Sequence, residues 1–298
     1  MKASIIVLTY NQERYIDDTL KSILNQKGDV PFEIIVSDDC STDSTPDIIE
    51  KYSGMYPNVI KAVYHAENVG VLRNYYSTLS LCSGEYIMGC GGDDCWLPDK
   101  LSYQVEYMDS HPETLLHHTR VLIIDKNSQE IGKSKIYPKY SSFRELLIEN
   151  PVCACTACFR RSAAFDYIES VAPDTRNWQM EDLPMWLWFA QRGTIEYSSQ
   201  ILCAYRVLRD SVSHAANLDK QIAFENSVYD IKRFFTNGNK KYEQMILSKH
   251  NASLAHIYRT HGDYDRFRYY SRKAGTLVGF LKAIVPKAFL TQRKVIGV

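Results

Sequence analysis

Apolar and polar positions along the first hundred residues switch repeatedly between two periods. Ala3–Leu8 is a short apolar run, and after it Ile16, Leu20, Ile23 and Leu24 fall at the spacing that lines one face of a helix. Phe32–Ser37 is the next run and ends in Asp38 and Asp39. Pro46, a residue favoured in a first helical turn, predicts a helix capped by Ser44 or Thr45. Val59–Tyr64 predicts a third strand, Arg73–Leu81 a helix, and Tyr86–Cys90 a fourth strand. Alternation of this kind predicts βαβ units: an α/β class with a Rossmann-like, mostly parallel central sheet flanked by helices.

Farther along, Pro98 opens a helix to about Asp109, and Leu116–Asp125 and Val152–Phe159 read as strands. Phe143–Glu149 and Met180–Gln191 read as helices, the second ended by Gly193. Beyond about residue 225 the pattern turns helical and basic. Ala255, Tyr258, Gly262, Tyr264 and Ala274 are spaced like one helix–turn–helix unit of the tetratricopeptide type, which predicts a single helical hairpin. The expected division is an α/β domain over 1–222 and a smaller C-terminal helical region over 223–298.

Composition narrows the class. The chain has 298 residues, 45% of them hydrophobic, enough to bury a substantial core. Its formal net charge of zero gives no sign of a nucleic-acid partner. The charge is uneven, however, with 14 Lys/Arg against 4 Asp/Glu over 226–298. Residues 279–298 mix Phe280, Leu281, Ile284 and Phe289 with Lys282, Lys287, Arg293 and Lys294. That mixture suits either peripheral contact with an anionic membrane or a docked helix with a solvated basic face. No stretch reaches the roughly 18 apolar residues of a membrane span. The N-terminal run is too short for a signal-peptide core, and eight cysteines are too few for a disulfide scaffold of this length. The expected setting is therefore cytoplasmic, with the inner face of the cell membrane as a peripheral site. Cys153, Cys155 and Cys158 read as half-buried free thiols rather than a zinc site.

In parallel sheets, ligands sit beyond the carboxyl ends of the strands. Thr9, Tyr10 and Asn11 follow the first run, Asp38 and Asp39 the second, and Gly91, Gly92, Asp93 and Asp94 the fourth. Four carboxylates thus reach one edge of the sheet. Hard oxygen ligands of this kind suit Mn2+ or Mg2+, which keep water and phosphate oxygens as their other ligands.

Three segments, SIIVLTYNQERYIDDTLKSILNQ, FEIIVSDDCSTDST and GEYIMGCGGDDCWLPDKL, together resemble the family 2 glycosyltransferases of GT-A fold, of the bacterial surface-polysaccharide type. The resemblance covers roughly residues 1–215, in the family's order and spacing. It implies inverting transfer from a nucleotide-diphosphate sugar, commonly UDP-linked, to an acceptor hydroxyl on a glycan or lipid-linked saccharide, with a divalent metal. Carried over by position, Thr9, Tyr10, Asn11 and Glu13 would line the nucleotide pocket. Asp39 would meet the uracil edge with Asp38 beside it, and Arg73 would lie near the base or phosphates. Asp93 would carry the metal with Asp94 next to it. The chain departs from the family's Asp-X-Asp pattern at Gly91, where an acidic residue is usual.

Trp-Gln-Met-Glu-Asp-Leu-Pro-Met-Trp at 178–186 resembles the family's acidic pair at a helix start. It implies Asp182 as general base, with Glu181 in reserve. A helix N-terminus is expected to lower the pKa of such a carboxylate. Trp178, Trp186 and Trp188 flank the pair as either a sugar platform or core. Tyr205-Arg206 resembles the closing segment that returns over the diphosphate, with His214 as a second candidate metal or phosphate ligand. The rival readings are a catalytically inactive carbohydrate-binding or scaffold protein, suggested by Gly91, and a sugar-1-phosphate nucleotidyltransferase. The second is disfavoured because Thr-Tyr-Asn-Gln-Glu stands where a Gly-rich phosphate loop belongs. A homo-oligomer stays open.

Overall fold

The computed structural model describes residues 1–208 and 217–275. The N-terminal half runs β1 (Ala3–Thr9), α1 (Ile16–Leu24), β2 (Phe32–Asp38), α2 (Thr45–Met55), β3 (Ile60–Tyr64), α3 (Val71–Leu79) and β4 (Tyr86–Gly91). Next come β5 (Cys95–Trp96), α4 (Lys100–Ser110), β6 (Thr114–Ile124), β7 (Glu130–Lys133), α5 (Phe143–Ile148) and β8 (Cys158–Arg160). The chain continues with α6 (Arg161–Val171), α7 (Asp182–Ala190), β9 (Thr194–Arg206), α8 (Leu218–Phe235), α9 (Lys240–Thr260) and α10 (Tyr264–Lys273).

The strands form one sheet in the order β3-β2-β1-β4-β8-β6-β9-β5, with β7 added on β6. The β3, β2, β1 and β4 pairings are parallel, as the strand–helix alternation predicts. Past β4 the sheet becomes mixed: β8 is antiparallel to both β4 and β6, whereas β6 and β9 are parallel. Alternate side chains enter two apolar layers, the two-residue period of a strand. Ile5, Val7, Ile34 and Val36 face Leu20, Ile23, Ile49 and Leu101 on one side. Ile6 and Ile35 face Tyr76, Leu79, Tyr167 and Trp186 on the other. Helices cover both faces, which is why β1 and β2 read as nearly continuous apolar runs.

The strand order sets the location of a site. From β1 the chain moves outward to β2 and β3, then returns to place β4 on the other side of β1. That reversal opens a crevice at the carboxyl ends of β1 and β4.

Three parts of the fold differ from the sequence expectation. Residues 152–159 form a 3-10 turn over Ala154–Thr156 and only the short β8. Their apolar run reflects burial: the Ala154 carbonyl packs 3.3 Å from where a Cβ on Gly89 would lie. The thirteen-residue β9 escaped the pattern because polar Ser198–Gln200 interrupt it, where its register with β6 shifts. The boundary drawn at 222 falls inside α8, whose Ile231 and Phe235 join the same apolar layer as Leu183 and Trp186. The basic hairpin is present as α9 and α10, turning at Gly262 with φ +80°. Residues 279–298 lie outside the described residues.

Candidate active site

The floor of the crevice is built from three strand ends. Register pairs Thr9 with Asp38 and Leu8 with Gly91, so β1, β2 and β4 finish side by side. The Asp39 N–H donates to the Thr9 carbonyl at 3.0 Å and the Gly92 N–H to the Leu8 carbonyl at 2.9 Å. Asp38 is buried and accepts from the Ser41 N–H at 2.9 Å and the Ser41 hydroxyl at 2.5 Å. The Asp39 carboxylate accepts from the N–H groups of Val69 at 2.8 Å and Gly70 at 3.0 Å. It sits at the head of α3, where an anion is favoured by the unpaired N–H groups of a first turn. Gly70 adopts φ +82°, a conformation that suits glycine at this close turn.

Two loops above this floor brace each other. The Asn11 N–H donates to Ser41 Oγ at 2.8 Å, and Asn11 Oδ1 accepts from the Thr42 N–H at 2.8 Å. The Glu13 N–H donates to Asp43 at 3.1 Å, while Glu13 Oε2 accepts from the Ser44 N–H at 3.0 Å. Asn11 and Glu13 thus commit their side chains to the shape of the pocket. Tyr10 stays 47% exposed at the rim, and Arg73 is exposed on the first turn of α3.

The Gly-Gly-Asp-Asp segment closes the other side of the crevice. A Cβ on Gly92 would lie 2.2 Å from Gln12 Oε1 and 2.8 Å from Thr9, so only glycine fits there. A Cβ on Gly91 would lie 2.9 Å from Asp93 Oδ1, so the Asp93 carboxylate borders the space of an acidic residue at 91. Asp93 and Asp94 do not share a role in this geometry. Asp94 is buried, and its Oδ1 accepts the Arg206 N–H at 2.9 Å. The Arg206 side chain donates from Nε to the Asp93 carbonyl at 2.8 Å and from Nη1 to the Asp125 carbonyl at 3.0 Å and Ser128 Oγ at 2.9 Å. Its Nη2 is buried without a partner, and its guanidinium lies over the Tyr15 ring. Arg206 therefore braces the corner from β9, tying the Asp93 and Asp125 carbonyls to Ser128.

Burial pushes the Asp93 carboxyl up, and the Arg206 charge and the Gln12 side chain only partly oppose this. Burial and the neighbouring Asp93 raise Asp94 farther. Among the described residues no three His, Cys, Asp or Glu side chains cluster as a metal cage. A single carboxylate whose charge is incompletely compensated, at the mouth of a crevice, nevertheless fits a divalent cation that takes most of its ligands from phosphate and water. Asp93 is the residue that would hold it. His214, the other expected ligand, lies outside the described residues. Gln12 and Arg206 were not singled out in the sequence as parts of the Asp93 corner, because no local pattern shows that β9 returns to this point.

Glu181 and Asp182 open α7 and are both half-buried. The Asp182 Oδ1 accepts the Leu183 N–H at 2.6 Å. The expected lowering of its pKa by the helix end does not occur. Burial raises it and outweighs the relief from backbone N–H groups and from the nearby Trp186 and Asn150 side chains. Burial and the Asp182 charge push Glu181 up to about 7. The Tyr76 hydroxyl on α3 donates to the Glu181 carbonyl at 2.9 Å, so one helix runs from the Asp39 side of the crevice to the acidic pair. Trp186 is core against Phe159, and Trp188 packs on Tyr167. Trp178 is held by Arg176 and Phe234.

The family model described as glycosyl transferase family 2 matches residues 4–168. The chain belongs to that family. An uncharacterised family relative from Mycobacterium tuberculosis is 33% identical over 230 residues, 74% of this chain; the chain spans about 63% of the length of the relative it matches. The Staphylococcus aureus poly(ribitol-phosphate) β-N-acetylglucosaminyltransferase TarS is 36% identical over 128 residues, 42% of this chain and 21% of TarS. A solved structure of TarS residues 1–349 with UDP-GlcNAc matches at TM-score 0.60 and 20% identity, covering 93% of both chains. The Pyrobaculum calidifontis mannosyltransferase PcManGT, solved with GDP-Man and Mn2+, matches at TM-score 0.61 and 16% identity, covering 97% of this chain and 80% of that one. These likenesses show the GT-A fold for this family 2 chain. The acidic residue that the sequence resemblance led one to expect at 91 would bring its Cβ within 2.9 Å of the Asp93 carboxylate.

Proposed function

We propose that this family 2 chain is an inverting, metal-dependent glycosyltransferase that moves a sugar from a nucleotide-diphosphate donor, a UDP-sugar, to an acceptor hydroxyl during bacterial surface-polysaccharide or lipopolysaccharide assembly. The observation that carries the reading is the Asp93 carboxylate. It is half-buried at the strand-order reversal, burial outweighs the groups that favour its charge, and it stands beside Gln12 of the interlocked loops that follow β1 and β2. A divalent cation would supply the missing positive charge there and would in turn hold a diphosphate, and TarS and PcManGT, of like fold, were solved with nucleotide sugars.

The nucleotide is assigned to the pocket of Thr9, Tyr10, Asp39 and Arg73. When bound, a divalent cation on Asp93 would neutralise charge on the departing diphosphate. Asp182 accepts the proton of the acceptor hydroxyl. The acceptor oxygen forms its bond to the anomeric carbon from the face opposite the diphosphate. The carbon–oxygen bond to the diphosphate breaks, and its electron pair leaves with that oxygen. The raised pKa of Asp182 makes it a stronger proton acceptor than an exposed aspartate.

Calorimetric titration with UDP and UDP-sugars, with and without Mn2+, tests the reading. Metal-dependent binding together with slow release of UDP from a donor supports it. A chain blind to every nucleotide under both conditions would instead be the inactive scaffold.

A further inference from the structure

The segment that leads into the acidic pair carries a cation that the proposed reaction leaves unused. Arg176 is half-buried between the end of α6 and the start of α7. Its Nε donates to the carbonyl of Val171, the last residue of α6, at 2.9 Å. Its guanidinium lies 4.1 Å from the Phe234 ring centroid and 5.2 Å from that of Trp178. Those two rings meet edge to face with centroids 5.6 Å apart. The Nε bond and the two rings together fix the plane of the fork. Among the described residues, Nη1 and Nη2 have no hydrogen-bond partner and no carboxylate lies within 4.0 Å of the guanidinium. Acids outnumber bases over residues 1–225, so a shortage of carboxylates does not explain the missing partner. Phe234 is 40% exposed, and Arg233 before it is also exposed and has no ion pair among the described residues. Capping α6 accounts for Nε alone and gives the terminal edge of the fork nothing to do.

We propose that Arg176 is an anion-recognition residue of the acceptor subsite, and that the acceptor carries an oxyanion, a phosphate or a carboxylate, close to its reacting unit. A planar fork offers two parallel N–H bonds to a pair of oxyanion oxygens. A guanidinium stacked on aromatic rings is weakly hydrated and already ordered, so the incoming oxyanion displaces no internal carboxylate and freezes little side-chain motion. Arg176 precedes Asp182 by six residues, a length of chain that spans at most about 20 Å. That segment is braced on the way, by the Gln179 N–H on Ser227 Oγ at 2.8 Å and by the Tyr76 hydroxyl on the Glu181 carbonyl at 2.9 Å. One fixed stretch of backbone thus carries both the fork and the proposed base. Assigning the oxyanion to the acceptor rests on the function proposed above, whereas anion binding at Arg176 does not.

The probes are glucose 6-phosphate, glucuronate and glucose. Each is titrated into the full chain at physiological ionic strength, which screens contacts with solvent-exposed charges, while NMR follows the Arg176 Nε–H resonance. Glucose 6-phosphate should shift it saturably and glucose should not. A matching response to glucuronate extends the ligand class to carboxylates, and its silence restricts the class to phosphates. Arg176→Gln, with its Tm compared with the parent's, should bind glucose 6-phosphate at least about tenfold more weakly. Adding Mn2+–UDP should leave the parent's affinity for glucose 6-phosphate unchanged, because the donor is assigned to the Asp39 and Asp93 side. Equal shifts with glucose and its phosphate, or an unchanged affinity in a folded Arg176→Gln, overturn the anion site. Displacement of glucose 6-phosphate by Mn2+–UDP overturns the acceptor assignment. If Arg176→Gln does not fold, the parent's own resonance decides. Should the chain bind no nucleotide, the function proposal fails and the titration without metal still decides whether Arg176 takes an oxyanion.

Discussion

At the scale of single residues, the two aspartates of one motif separate cleanly by what they touch. Asp94 spends its carboxylate on the Arg206 N–H, whereas Asp93 is left with incomplete compensation. Asp93→Asn removes a half-buried charge, so the variant should keep or exceed the parent's Tm while losing its Mn2+-dependent UDP shift. Thermal unfolding with and without Mn2+–UDP checks both halves of that statement. Asp182→Asn should lower kcat by about 10²–10⁴ with donor affinity retained, read by steady-state kinetics beside calorimetry. Glu181 gives a pH signature. Its folded pKa is raised from 4.5 to about 7, so its contribution to stability is full below the unfolded value and is lost as pH rises through about 7. Glu181→Gln should remove that loss and stabilise the fold above pH 7 by up to about 3 kcal/mol, seen in denaturant melts at pH 5 and 8. The sequence made these carboxylates visible as positions, since each follows an apolar run or opens a helical pattern. It did not make their ionisation visible. Burial is a property of the packed neighbours, and it reversed the direction expected for Asp182.

Among the elements, the loops after β1 and β2 behave as one unit. Asn11 holds φ +52° and accepts the Thr42 N–H, joining two loops across a separation of 31 residues. Asn11→Ala loses that bond and leaves an alanine in a left-handed conformation, so unfolding should cost about 1–3 kcal/mol less. Chemical denaturation measures it, and hydrogen exchange should locate the loosening at 41–45. The strands and helices of this half were readable because each is a run of a single period bounded by polar residues. The cross-loop bonds were not, because they pair residues with no periodic relation. The 152–159 segment shows the opposite limit. Its apolar composition records burial under β4, and burial alone does not distinguish a strand from a turn.

For the whole molecule, the C-terminal helices are part of the core. Ile231 is fully buried with Trp186 and Phe189, and the Ser227 hydroxyl accepts the Gln179 N–H at 2.8 Å in the approach to Glu181. Ile231→Ala should destabilise the α/β portion itself by about 2–5 kcal/mol in one cooperative transition, checked by following tryptophan fluorescence and far-UV circular dichroism together. The parallel half of the sheet was legible from strand–helix alternation. The mixed half was not, because β9 pairs across long sequence separations and carries a polar interruption.

Arg73 and Tyr76 occupy one short helix, three residues apart, with Gly70 at its start fastened to Asp39 and Tyr76 fastened to the Glu181 carbonyl. Three residues advance a helix by about 4.5 Å. The fastened points Gly70 and Tyr76 are six residues apart, about 9 Å, so a rigid spacer of under two turns would set the gap between the side proposed for the leaving group and the side proposed for the incoming alcohol. On the proposed function, acceptors of different bulk would have to adapt to that gauge, and inserting a single residue between Gly70 and Tyr76 would turn Tyr76 away by roughly 100° and uncouple the two ends of the spacer.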